Sequence, residues 1–186
     1  MNFDFSEDQK LLKEQVSRFL TDNCPIEVVR EVLEGDDFYS EKVWKGLVEL
    51  GLTGTTIPEE YGGLELSPLE LCVIAEELGR ASAPVPFSSS VYLATEAIKL
   101  FGTSEQKENY LPRLASGELI PCFGLTGPNN GSDATGSIDT GKIVLEDGQP
   151  KIKVSLNKRY ITLAPVANLM GIAFNLEDPD NILGKE

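Results

Sequence analysis

The sequence predicts an α+β protein: an N-terminal all-helical domain followed by a partial antiparallel, barrel-like β domain. Three observations predict it. Apolar residues recur at helical spacing between capping signals up to about residue 118, and beyond it they fall in short β-branched runs. The charge is uneven, with 18 acidic and 7 basic side chains in residues 1–80 against 8 and 6 in residues 121–186. A chain of 186 residues, 41% apolar and 25% charged, has material for a core and does not read as disordered. The expected division is 1–118 and 119–186.

The helices come with clear punctuation. Ser6-Glu7-Asp8-Gln9 fits a capping box, and Leu12, Val16, Phe19 and Leu20 share one face after it. Pro25 suits the first turn of a short second helix with Ile26, Val29 and Leu33 inward. Ser40 caps a third, carrying Val43, Trp44, Leu47 and Val48 and stopped at Gly51. Ser67-Pro68-Leu69-Glu70 opens a fourth, whose buried stripe is Leu71, Ile74, Ala75 and Leu78 and whose end is Gly79. Residues 88–101 form a fifth, with Val91, Ala94, Ile98 and Phe101 inward and Gly102 as stop. Thr103 to Gln106 opens the last, which carries Tyr110, Leu111 and Leu114, and Pro112 is expected to kink or shorten it.

The strands follow. Ile143-Val144-Leu145 and Ile152 to Leu156 flank an Asp147-Gly148 hairpin turn. Tyr160 to Leu163 is a third run, and Asn168 to Phe174 a fourth, apolar enough to be buried on both faces. Such an edge left bare would aggregate, so either a partner covers it or the chain stops before its fold does.

Composition removes several function classes. A net charge of −14 repels phosphate backbones and argues against nucleic-acid partners. The absence of histidine excludes Ser-His-Asp and Cys-His catalysis and every His-ligated metal site. No apolar run approaches a bilayer span, so no transmembrane segment is expected. Cys24, Cys72 and Cys122 form no CxxC and read as buried free thiols of a reducing compartment. With no export signal at the N-terminus, the expectation is a cytoplasmic protein.

Three segments are candidates for chemistry. Residues 123–133 are turn-rich, with a hydroxyl at Thr126 and a Gly131-Ser132-Asp133 end, and successive amides in such a turn make a concavity for an anion such as a pyrophosphate. On spacing alone the favoured reading is a surface loop of Gly, Asn and Pro without a ligand. Residues 158–164 are the second: with Tyr160 and Thr162 two apart on a strand, the ring flanks a planar cofactor while the hydroxyl donates to it. Taken alone, plain strand composition is the favoured reading of those residues. Pro58 to Gly63 reads as a loop whose Glu59 and Glu60 are solvated.

Taken in order, these segments resemble the acyl-CoA dehydrogenase family of flavoproteins over nearly the whole chain. The motifs are Phe5 to Gln9, Ile57 to Gly63, Glu76 to Arg80, Gly102 to Lys107 with Tyr110-Leu111-Pro112, Gly117-Glu118, Leu125 to Asp133, and Tyr160-Ile161-Thr162. From about residue 121 the wording resembles the large bacterial long-chain branch; the first 120 residues resemble the short form. The resemblance implies a helical domain, a middle β domain and a C-terminal four-helix bundle, with FAD between the last two. It implies that Phe123, Leu125, Thr126, Gly131 and Ser132 cradle the flavin and pyrophosphate, Ser132 also meeting the acyl-CoA. Tyr160, Ile161 and Thr162 would line the isoalloxazine. Gly127 stands where the family has an acidic residue, Tyr160 where it has Trp, and Asn129 and Asn130 where it has smaller residues.

The activity so implied is oxidation of a fatty acyl-CoA to a trans-2-enoyl-CoA, as in fatty acid β-oxidation. Its partners are an electron-accepting flavoprotein or similar acceptor and a homo-oligomeric or complementing subunit. The family's proton-abstracting glutamate belongs to the bundle, for which these residues show no counterpart. No catalytic residue is therefore assigned, and the isolated chain is expected not to turn over. A non-catalytic helical interaction module, or a truncated remnant, is the competing expectation from another class.

Overall fold

A computed structural model describes residues 4–134, 136 and 139–184. Among the described residues six α-helices precede five short strands. They are α1 (Glu7–Asn23), α2 (Ile26–Glu34), α3 (Glu41–Glu49), α4 (Pro68–Arg80), α5 (Glu96–Phe101) and α6 (Ser104–Ala115). The strands are β1 (Pro121–Gly124), β2 (Thr140–Glu146), β3 (Gln149–Lys153), β4 (Leu169–Ile172) and β5 (Asn175–Glu177).

Capping chemistry sets the helix starts. Ser6, Ser67 and Thr103 each accept a backbone amide, while Gln9, Glu70 and Gln106 reach back to the cap amide. Hydrogen bonds from Ser67 and from Gln9 of α1 hold the Glu70 carboxyl below its usual pKa. Gly51, at φ 74°, stops α3 in the left-handed conformation. The main core joins Val16 and Leu20 of α1, Trp44 and Leu47 of α3, and Ile74 of α4 to Ile120. A second cluster packs Ile57 against Leu111, Leu114 and Leu119.

Several expectations need correction. Ile26 and Leu33 of α2 are exposed; the arc 28, 29 and 32 is half-buried instead, because a nine-residue helix meets the core along one narrow stripe. Gly79 does not end α4, which runs one residue further and is capped by Ala81. The helix through Pro112 is not ended there and continues to Ala115, at the loss of the one bond that a Pro112 amide would have donated. Residues Ser88–Thr95 are π-helical, and the buried Thr95 hydroxyl bonds the Ser90 carbonyl five residues back. Bonding at i→i+5 rotates the chain less per residue than an α-helix does, so the face that follows is displaced. Val91 and Ala94 are buried as expected, yet Phe101 is 84% exposed.

The β region forms two open sheets, β1–β4 and β3–β2–β5. The β2–β3 hairpin is antiparallel, with Asp147 at φ 55° and Gly148 at φ 75° in its turn. The other two pairings, β1–β4 and β2–β5, run parallel, which the antiparallel expectation did not include. Long connections permit this, because each partner returns after a crossover instead of a tight turn. Tyr160 to Leu163 is not a strand: Tyr160 and Ile161 are irregular, and Thr162 and Leu163 open a turn. Tyr160 and Leu163 take positive φ, and the Ile161 and Leu163 carbonyls accept from Ala164, Val166 and Ala167. β4 is not buried on both faces, since Met170 and Ile172 are exposed.

All three cysteines are free, but Cys72 is exposed while Cys24 and Cys122 are buried. Burial raises both buried thiols above the usual cysteine pKa, which lowers their reactive thiolate fraction. A thiol reagent at pH 8 is expected to label Cys72 first and the other two only after denaturant is added. Equal labelling of all three in the folded chain would contradict these burial states. No described helix is long and apolar enough to cross a membrane.

Candidate functional site

The site is built where β1 leaves its sheet. Ser90 of the π-helical segment donates to the Pro121 carbonyl at 3.2 Å, and Asn168 accepts from the Ile120 amide at 2.8 Å. The helical block and the residue before β4 thus fix the start of β1. At the other end Ala173 donates to the Gly124 carbonyl at 3.0 Å. The chain then turns through Leu125 to Asp133.

The structure brings the 123–132 turn and the 158–162 segment together. Arg159 donates its amide to the Thr126 carbonyl at 2.8 Å, and Lys158 donates Nζ to the Leu125 carbonyl at 3.2 Å. A Cβ on Gly124 would lie 3.8 Å from Ile161 Cδ1. Phe123 and Ile161 are half-buried, as are Leu125 and Thr126; Gly131, Ser132 and Thr162 are exposed. Tyr160 is 88% exposed at φ 56°. Because residues 160 and 161 are irregular and a turn begins at Thr162, Tyr160 and Thr162 do not share a strand face. Phe123 also lines a cavity of about 400 Å³ beside Ile98, Phe101, Met170 and Gly171.

One amide of the turn is already used. Gly127 donates to Asn130 Oδ1 at 2.8 Å, and both residues are buried. A Cβ at position 127 would overlap that same oxygen. Gly127 and Asn130, each a departure from the family's wording, are therefore one interlocked unit, and sequence spacing gave no signal of it. Beyond them the turn opens. Among the described residues no group accepts a bond from the Gly131 or Ser132 amide, and a Cβ at Gly131 would meet nothing within 4 Å. Exposed residues with free amides and a hydroxyl in one segment, and an unpacked aromatic ring in the other, are the groups that a flat ligand with an anionic tail, as FAD is, would need. Glu59 and Glu60 lie exposed on a 3₁₀ turn of the helical block.

The family described as "Acyl-CoA dehydrogenase, N-terminal domain" matches residues 6–118. A probable acyl-CoA dehydrogenase of Bacillus subtilis is 33% identical over 168 residues, covering 89% of this chain and 28% of the relative. The mitochondrial isovaleryl-CoA dehydrogenase of Arabidopsis thaliana is 40% identical over 135 residues, covering 71% of this chain and 33% of its own length. An acyl-CoA dehydrogenase of Bacillus anthracis complexed with FAD superposes with a TM-score of 0.78 at 32% identity, covering 93% of this chain and 30% of that one. The chain thus spans about a third of the length of the curated relatives it matches. The helical block, the open β region after it and the matched residues agree: this chain belongs to the acyl-CoA dehydrogenase family.

Proposed function

We propose that residues 1–118 form the helical domain, and residues 119–186 part of the flavin-facing β domain, of an FAD-dependent acyl-CoA dehydrogenase. The observation that carries this reading is the docking of the Leu125–Thr126 backbone on Lys158 and Arg159, which places the two candidate segments side by side. Bound FAD would supply the acceptor for the β-hydrogen, taken as hydride while a base removes the α-proton of the thioester. The chain's own residues bind and orient. Phe123, Leu125 and Thr126 form the fixed wall, Gly131 and Ser132 offer amides and a hydroxyl to the pyrophosphate, and Tyr160, Ile161 and Thr162 line the ring. Ser132 also faces the acyl-CoA.

The substrate class is a fatty acyl-CoA and the product a trans-2-enoyl-CoA, a β-oxidation step. The base for the α-proton is assigned to none of the acids in the candidate segments: Glu59 and Glu60 sit on the helical block and Asp133 is exposed in the turn. These residues alone therefore bind without turning over, and a complementing or repeated subunit completes the site. An electron-accepting flavoprotein or similar acceptor then receives the electrons. The compartment is cytoplasmic.

The test is equilibrium dialysis of the chain against FAD. Retained, red-shifted flavin absorbance is expected, with no reduction on adding an acyl-CoA. A chain that retains no flavin, or that bleaches it with substrate unaided, overturns the reading. Tyr160→Ala is expected to weaken retention about three- to tenfold through lost ring contact. Because the side chain is 88% exposed, unfolding should move by no more than about 0.5 kcal/mol.

A further inference from the structure

We propose that Lys158 is a positioning residue, a buried cationic clamp that sets the backbone of the turn carrying Thr126. The inference rests on the reading in which that turn faces FAD. The side chain of Lys158 is 7% exposed and that of its ion-pair partner Asp139 24% exposed, with Nζ 3.0 Å from Oδ2. A pair at the surface is a contrast: Lys45 and Glu41 are 71% and 69% exposed. A buried ammonium is costly to keep unless its charge is matched, so its position asks for a reason that a surface pair does not.

The reason is visible in what Lys158 joins. Its stem crosses the exit of β1, where a Cβ on Gly124 would lie 3.6 Å from Lys158 Cγ. Its Nζ donates to the Leu125 carbonyl, one residue before Thr126. Its counter-ion stands immediately before β2, where Asn175 anchors the Asp139 carbonyl at 2.8 Å. Asp139 Oδ2 accepts no directed hydrogen bond, so charge and not angle holds the pair. Three chain segments thus meet on one ammonium, and the adjacent Arg159 amide completes the junction on the Thr126 carbonyl. Thr126 and Tyr160 can keep a fixed separation only while that junction is closed.

The test is amide hydrogen exchange by NMR on the whole 186-residue chain, comparing wild type with Lys158→Met, Lys158→Arg and Asp139→Asn. Methionine keeps the stem and removes the charge. The Arg159 and Gly127 amides should exchange at least about tenfold faster in Lys158→Met and Asp139→Asn. Amides of Leu20 and Leu47 in the helical core should not change, and Lys158→Arg should restore part of the protection. Unchanged Arg159 and Gly127 amides overturn the clamp, as does equal acceleration in the core or an arginine variant no better than methionine. With FAD added, Lys158→Met should alter the visible circular dichroism of the bound flavin and Lys158→Arg should recover it. A wild type that binds no FAD defeats the reading of the site alone, because the exchange rates still decide the clamp.

Discussion

Gly63→Ala is expected to lower the unfolding free energy by about 3 kcal/mol, whereas Gly62→Ala next to it costs about 1 kcal/mol. The two glycines are required for different reasons. Gly62 has φ 81° and open space around it, so an added methyl meets only the left-handed backbone penalty. Gly63 has no positive φ, but its Cβ would overlap the carbonyl oxygen and side chain of Ile57. Ile57 cannot yield: it is fully buried, its amide donates to Gly54 at 3.1 Å, and its carbonyl accepts from Glu65 at 2.9 Å. The methyl must therefore push apart a closed backbone loop that also seats Leu111 and Leu114. Urea unfolding followed by circular dichroism measures the difference. A Gly63→Ala midpoint no lower than that of Gly62→Ala would show that the loop relaxes.

Gly127→Ala is expected to cost about 2 kcal/mol, and Asn130→Ala about 1 kcal/mol, with the double variant well short of their sum. A methyl at 127 takes the place of Asn130 Oδ1 and leaves the buried Gly127 amide without its acceptor. Once Asn130 is shortened, the same methyl has room, and the amide bond it would break is already gone. A coupling of about 1 kcal/mol from the cycle is the signature of the interlocked pair. Additivity would mean that the two positions act separately. Flavin retention should follow the same ranking, since the pair shapes the turn leading to Gly131 and Ser132.

The glycine effects mark how far a sequence reads. Gly51, Gly62 and Gly148 are all left-handed, in a helix stop or turns where the wording already places them. Gly63 and Gly127 are needed because of atoms lying against them, and no local pattern shows that. The helix starts at Ser6, Ser67 and Thr103 were legible for the same reason: each cap and its partner stand three residues apart. The inward faces of α2 and α5 were less so. A short helix with many apolar residues has several possible faces, and the π-helical turn before α5 shifts the phase by an amount that periodicity does not encode.

The candidate site divides along the same line. Its residues were legible as two segments of suitable composition and as a family resemblance, and the structure lays those segments side by side. Residues 160–163 read as a strand yet pair with none, because Tyr, Ile and Thr favour strands while tertiary contacts decide whether their backbone groups find a ladder. The parallel pairings, the Gly127–Asn130 unit and the buried Lys158 had no signal at all.

By itself the sequence determined where helices begin, where the hairpin turns, which residues are candidates and which family they belong to. Tertiary structure alone decided strand direction, the faces that are buried, and the contact between the Leu125–Thr126 backbone and Lys158–Arg159. The physical reason is distance along the chain. A cap or a tight turn is closed by groups within four residues, whose geometry the residue types dictate. A contact across some thirty residues depends on every packing choice made between them.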